Sequence, residues 1–171
     1  MDVDQIAKLK KISQQLRKSV IRELSEAGSG HSAGCLGFAD VMAVLYFHAM
    51  RLDSENPTWE DRDIFVMSNG HYAPLLYATL AERGFFDKKE LANLRKFGSK
   101  LQGHPERGSL SGIETTSGPL GCGLSQAAGM AYSLQYLGGN SERFVYCSLG
   151  DGELDEGNIW EAAMFAKKYN L

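Results

Sequence analysis

Two short apolar runs constrain this chain more than any other feature. Ile64-Phe65-Val66-Met67 ends in Ser68-Asn69-Gly70, and Phe144-Val145-Tyr146-Cys147-Ser148 leads through Leu149 into Gly150-Asp151-Gly152. Continuous apolar segments of this length, stopped by glycine-containing turns, read as strands buried on both faces. Helical periodicity fills the chain before, between and after them, which predicts an α/β domain with a mainly parallel sheet joined by helical crossovers. Ligands of such sheets bind beyond the carboxyl ends of the strands. His71, just past the first run, and Gly150-Asp151-Gly152, just past the second, are therefore expected to face one crevice.

The helical segments follow from spacing. Ile6, Leu9, Ile12, Leu16, Val20 and Leu24 form one apolar stripe over residues 5–26, ended by Gly28-Ser29-Gly30, with His31 in the loop beyond. Residues 36–50 form a second helix, apolar on most sides and so expected to be buried, and residues 53–61 a surface connection. Pro74 opens a helix that Gly84 closes, and Asp87 is placed to cap another running to about Phe97. Residues 98–123 are rich in loop formers and too long for an idle connection, which marks them as lining a site. Helices over residues 125–137 and 158–169 complete the pattern, with Asn170 as a C-cap.

With 171 residues, 43% of them hydrophobic, the chain amounts to about one ordinary domain. A net charge of −3 excludes a broadly basic nucleic-acid surface. The longest apolar run, Val41 to Phe47, is far short of the roughly 20 residues of a membrane helix, so no membrane partner is expected. Asp2 and Asp4 lie where a targeting leader carries basic residues, and the three cysteines form no paired framework, so a reducing cytoplasm is the expected setting.

Chemistry concentrates in three places. Asp151, Glu153, Asp155, Glu156 and Glu161 crowd five carboxylates together with no lysine or arginine between them. Their repulsion calls for a hard cation bound with a phosphate ligand, or else the segment is a solvated acidic loop with a capping aspartate. Gly118-Pro119-Leu120-Gly121-Cys122-Gly123 precedes a helix, as a phosphate loop or as a tight turn. Of the four histidines, His31, His71 and His104 each follow a glycine in a loop. Loop imidazoles can move protons on a polyhydroxylated or phosphorylated substrate, or, with Asp151, ligate zinc. His48 reads as an ordinary helix residue.

Ser68-Asn69-Gly70-His71, Gly103-His104-Pro105-Glu106, Thr116 through Gly123 and Gly150-Asp151-Gly152 occur in the order found in transketolases, and nearly the whole chain resembles that family of thiamine-diphosphate enzymes. The resemblance implies that residues 1–171 are the N-terminal part of a diphosphate-binding domain, an incomplete parallel-sheet thiamine-diphosphate fold. It implies Asp151 as the ligand of Mg²⁺ or Ca²⁺ and Gly152 as the amide beside the diphosphate. Gly118, Pro119 and Leu120 then lie against the cofactor's aminopyrimidine, and His71 beside its diphosphate and thiazolium. His31 and His104 handle substrate hydroxyls and protons, and Glu156 and Glu161 match carboxylates near the subunit interface, where the family relays protons to the cofactor of a dimer. The implied activity is transfer of a two-carbon ketol unit between sugar phosphates, as in the pentose phosphate pathway.

Ser32-Ala33 replaces the Pro-Gly that often follows the first family histidine. The chain stops at Leu171, before the asparagine and carbonyl that complete the family's metal site and before the pyrimidine-binding domain. It is therefore expected to be truncated, to hold the cofactor weakly if at all, and to need a separate chain carrying that domain. A non-catalytic interaction module with the same fold is the alternative.

Overall fold

The computed structural model describes residues 1–138 and 142–171. The first helix, α1 (Val3–Ala27), opens where Asp2 accepts the Gln5 amide at 2.7 Å and closes at Gly28, whose φ of 65° suits glycine. Its inner face carries Leu9, Leu16 and Val20. Arg17 holds α1 to α2 (Ala33–Val44) through a 2.9 Å pair with Asp40, whose carboxyl that guanidinium and Ser13 hold down at about 2.

Helix α2 buries one face, Cys35, Ala39, Met42 and Ala43, and leaves Val41 43% exposed. The expected burial on most sides is thus corrected, because among the described residues α1 and helix α3 (Ala73–Arg83) pack on that one face. It passes at Leu45–Ala49 into a wider π turn. Helix α3 (Ala73–Arg83) is the element buried all round, with every residue from Ala73 to Ala81 out of solvent.

Strands β1 (Ile64–Met67) and β2 (Val145–Ser148) pair in parallel, Ile64 opposite Val145 and Met67 opposite Ser148. Alternate β1 residues feed two layers. Phe65 and Met67 join the main core with α1, α2 and α3, while Ile64 and Val66 pack with Ala127 of α4 (Gly123–Tyr132) on the other face. Buried Asp63 ties the strand starts together by accepting the amides of Arg51 and Phe144, each at 2.9 Å. The expectation for β1 holds. For β2 it does not: Val145, Tyr146 and Cys147 are half-buried and Phe144 is 62% exposed, because β2 lies at the margin of both layers, Tyr146 only partly covered by the main core and Val145 and Cys147 only partly covered by the layer around Ala127.

Asp87 does cap, accepting the Lys89 amide at 2.9 Å, but the turn that follows is a 3₁₀ segment, Lys88–Asn93. The predicted helix to Phe97 is interrupted where Leu94 turns extended and Arg95 adopts a φ of 60°. Helix α4 continues as a π turn over Ser133–Leu137. Asn170 caps α5 (Gly157–Tyr169) in the left-handed conformation.

Candidate functional site

The carboxyl ends of β1 and β2 converge on one buried side chain, Glu153. It lies in a 3₁₀ turn, Asp151–Asp155, and is fully out of solvent. Its Oε1 accepts the Ser68 hydroxyl at 2.5 Å and the Gly121 amide at 2.8 Å, and its Oε2 accepts the Gly150 amide at 2.7 Å. The Ser68 oxygen in turn accepts the Gly123 amide at 3.0 Å. One carboxylate therefore ties together the end of β1, the turn 118–123 and the turn 150–153. The crowded acidic segment is relieved by these donors at Glu153, while Asp151, Asp155, Glu156 and Glu161 are all exposed.

Gly121 could be no other residue at this junction. Its φ is 84°, and a Cβ there would fall 2.8 Å from Cβ of Glu156. Glu156 thus packs on the glycine turn, whereas Glu161 lines a groove between α4 and α5 with Ser125, Ala128 and Phe165. Pro119 and Leu120 are exposed, and Pro119 lines a cavity of about 210 Å³ whose walls include Ser68, Thr116, Ser117 and Cys122.

The imidazoles come from three loops and meet at this end of the sheet. His71 lies in the 3₁₀ turn Gly70–Tyr72 directly after β1, and its ring centroid is 5.3 Å from that of His31. Tyr77 of buried α3 donates to the carbonyls of Gln102 at 2.9 Å and His104 at 3.3 Å, which fixes the loop carrying His104. Burial lowers the proton affinity of His71 and His104 below the ordinary 6.5. For His71 the neighbouring His31 adds to the effect and Glu153 opposes it; for His104, Arg95, His31 and His71 all add. Both rings are therefore neutral at pH 7, able to donate from one nitrogen and accept at the other.

Several features fit an anionic, metal-bound cofactor. Asn69, 1% exposed, accepts the Ser148 hydroxyl at 2.7 Å, yet its Nδ2 donor has no partner among the described residues. It lies against Gly150, where a Cβ would sit 3.7 Å from that of Asn69. At Gly152 a Cβ would meet open space, so its backbone is accessible, and the Asp151 carboxylate is exposed. Among the described residues no three His, Cys, Asp or Glu are grouped to hold a metal ion, so the zinc arrangement with Asp151 is not formed. His48 lies exposed against the Gln5 amide, 2.8 Å away, outside the site.

Residues 8–171 match the family model described as transketolase, thiamine diphosphate binding domain. This chain belongs to the transketolase family. Human transketolase is 48% identical over 170 residues, covering 99% of this chain and 27% of its own length. The 6-deoxy-6-sulfo-D-fructose transketolase subunit SqwG of Clostridium sp. (strain MSTE9) is 44% identical over 151 residues, 88% of this chain and 54% of that protein. Among solved structures, transketolase from Campylobacter jejuni superposes with a TM-score of 0.87 at 36% identity, over 99% of this chain and 27% of that one. The chain thus spans about a quarter of the length of whole transketolases.

Within this transketolase domain, the structure gathers His31, His71 and His104 at one end of the sheet and packs Glu156 on the Gly118–Gly123 turn. Glu161 stands apart in its groove. Glu153, Asn69 and Tyr77, which orient the loops, carry no signal in residue spacing. In the sequence Glu153 stands only as one of the five acids from Asp151 to Glu161.

Proposed function

We propose that this chain is the diphosphate-binding part of a transketolase that moves a two-carbon ketol unit from a ketose phosphate to an aldose phosphate. The convergence of three loop imidazoles beside the turns 118–123 and 150–153 supports the assignment most strongly. Asp151 would hold Mg²⁺ or Ca²⁺, and the Gly152 amide and Asn69 Nδ2 would meet the diphosphate of thiamine diphosphate. That cofactor, when bound, supplies a carbon nucleophile and an electron sink for breaking the bond beside the ketose carbonyl. His31 and His104 transfer protons to and from substrate oxygens, His71 packs beside the cofactor as a neutral donor, and Pro119 and Leu120 keep water from its ring. Glu156 and Glu161 face a partner that carries the pyrimidine-binding domain, either a second copy or a separate chain. A relative whose name calls it a subunit supports the separate-chain arrangement. A cytoplasmic setting accords with three free thiols and with the absence, among the described residues, of any helix able to cross a membrane.

The test is ketol transfer by the whole protein with its partner, supplied with Mg²⁺ and thiamine diphosphate. Transfer is expected only with both, and His31→Ala or His104→Ala should lower kcat/KM by about 10²-fold or more. Neither turnover nor cofactor binding in the assembled protein would return the chain to a non-catalytic module. Because burial keeps His71 and His104 deprotonated below the ordinary 6.5, the acidic limb of kcat/KM should fall below pH 6.5. A limb at or above that value would contradict their roles.

A further inference from the structure

Among the described residues, two other than glycine have positive φ: Asn170, which caps a helix, and Arg95, which caps nothing. Arginine rarely adopts a φ of 60°, so contacts around Arg95 must impose it. Its amide donates to the Leu101 carbonyl at 2.9 Å, closing residues 95–101 into a loop, and its Nη1 donates to the Ser29 hydroxyl at 3.2 Å. The same side chain is wedged between two glycines. A Cβ on Gly103 would lie 3.1 Å from Nε and 3.3 Å from Nη2, and one on Gly30 would lie 3.9 Å from Cζ. Gly30 immediately precedes His31, and Gly103 immediately precedes His104.

We propose that Arg95 is a positioning residue whose guanidinium clamps the His31 turn to the His104 turn. The significance for catalysis rests on the transketolase assignment above; the clamp itself does not. Three charged or titratable groups act on the His104 ring, namely Arg95, His31 and His71, and the Tyr77 hydroxyl holds its carbonyl. Arg95 contributes the permanent positive charge in that set, and so favours the neutral ring. An arginine is suited to the task because its planar fork can reach two turns at once, where a lysine offers a single point.

The experiment follows the ¹H–¹³C histidine ring signals and amide hydrogen exchange of the chain through pH titration, for Arg95→Gly, Arg95→Lys and the parent. Arg95→Gly relieves the backbone conformation while removing the charge. It should raise the proton affinity of His104 about two- to threefold and speed exchange at the hydrogen-bonded amides beside the two turns, those of Gly28, position 95 and Leu101, about tenfold or more, with the melting temperature held or raised. Arg95→Lys should keep the His104 titration near the parent's yet release the amides. If Arg95→Gly does not fold, the lysine variant's local exchange decides. Unchanged titration and exchange, or changes spread evenly over the chain, would overturn the clamp. No cofactor or substrate is present, so failure of ketol transfer would leave these results standing, and failure of the clamp would leave the transketolase assignment standing.

Discussion

Replacing Glu153 with alanine is expected to destabilise the chain by about 3–5 kcal/mol, a fall in melting temperature on the order of 10 °C. The magnitude follows from what is left behind. Removing the carboxylate strands the Ser68 hydroxyl and the amides of Gly121 and Gly150, three donors that converge on a side chain fully out of solvent. Bonds to a charged acceptor are each worth about 1.5–3 kcal/mol, and a buried donor without a partner carries its full desolvation cost. Glu153→Gln separates shape from charge. Its carbonyl can keep Ser68 and Gly121, but its amide then faces the Gly150 N–H, donor against donor, so an intermediate loss is expected. Thermal denaturation checks both variants, and a melting temperature for Glu153→Ala within a degree or two of the parent would refute the role of this carboxylate. The same change should loosen the turns 118–123 and 150–153 relative to each other, read as faster amide exchange there than in α1.

The second large effect is a fall in stability with rising pH, centred on Glu23. This side chain of α1 is 1% exposed, and among the described residues neither carboxylate oxygen has a hydrogen-bond partner. Desolvation pushes its titration from 4.5 up to about 9. The unfolded chain loses this proton near 4.5 while the folded chain keeps it to about 9, so the folded state binds more protons across that interval. Stability is then fullest below pH 4.5 from this group and declines by about 1.4 kcal/mol per pH unit as pH rises, roughly 3 kcal/mol by pH 7. His71 and His104 act with the opposite sign near pH 6, since their lowered affinities add stability as pH rises, and Asp40 has made its contribution well below this range. Urea unfolding of parent and Glu23→Gln at pH 5.5, 7 and 8.5 separates these terms. The parent should weaken steeply toward pH 8.5 and the variant should not. Parallel pH dependences would show that Glu23 is ionised and solvated in the folded protein.

Much of the scaffold was legible in the residues because its signals are local. The apolar run Ile64–Met67 is buried on both faces, one against each packed layer, and the stripe on α1, the proline at the start of α3 and the glycine after it each act within one or two turns. The site was legible to the extent that it lies past strand ends: His71 follows β1 and the 150–153 turn follows β2. What escaped depends on neighbours distant in sequence. Asp87 signals where a turn starts, but its end at Leu94 and Arg95 is set by Leu101, Gly103 and Ser29. The half exposure of β2 depends on how far the two packed layers extend over it, and composition says nothing of that. Glu153 looked like one more member of an acidic run, since no spacing rule distinguishes a carboxylate that meets three buried donors from one that meets water.

The measurement closest to the central claim is paramagnetic broadening of amide and imidazole signals by Mn²⁺, substituted for Mg²⁺, in the presence of thiamine diphosphate at millimolar concentration, where weak binding is still visible. The amides of Gly121, Gly150 and Gly152 and the His71 ring should broaden when ion and cofactor are added together, and Asp151→Ala should abolish the effect. Broadening confined to other acidic surfaces, or unchanged by Asp151→Ala, would mean that this end of the sheet does not hold the cofactor.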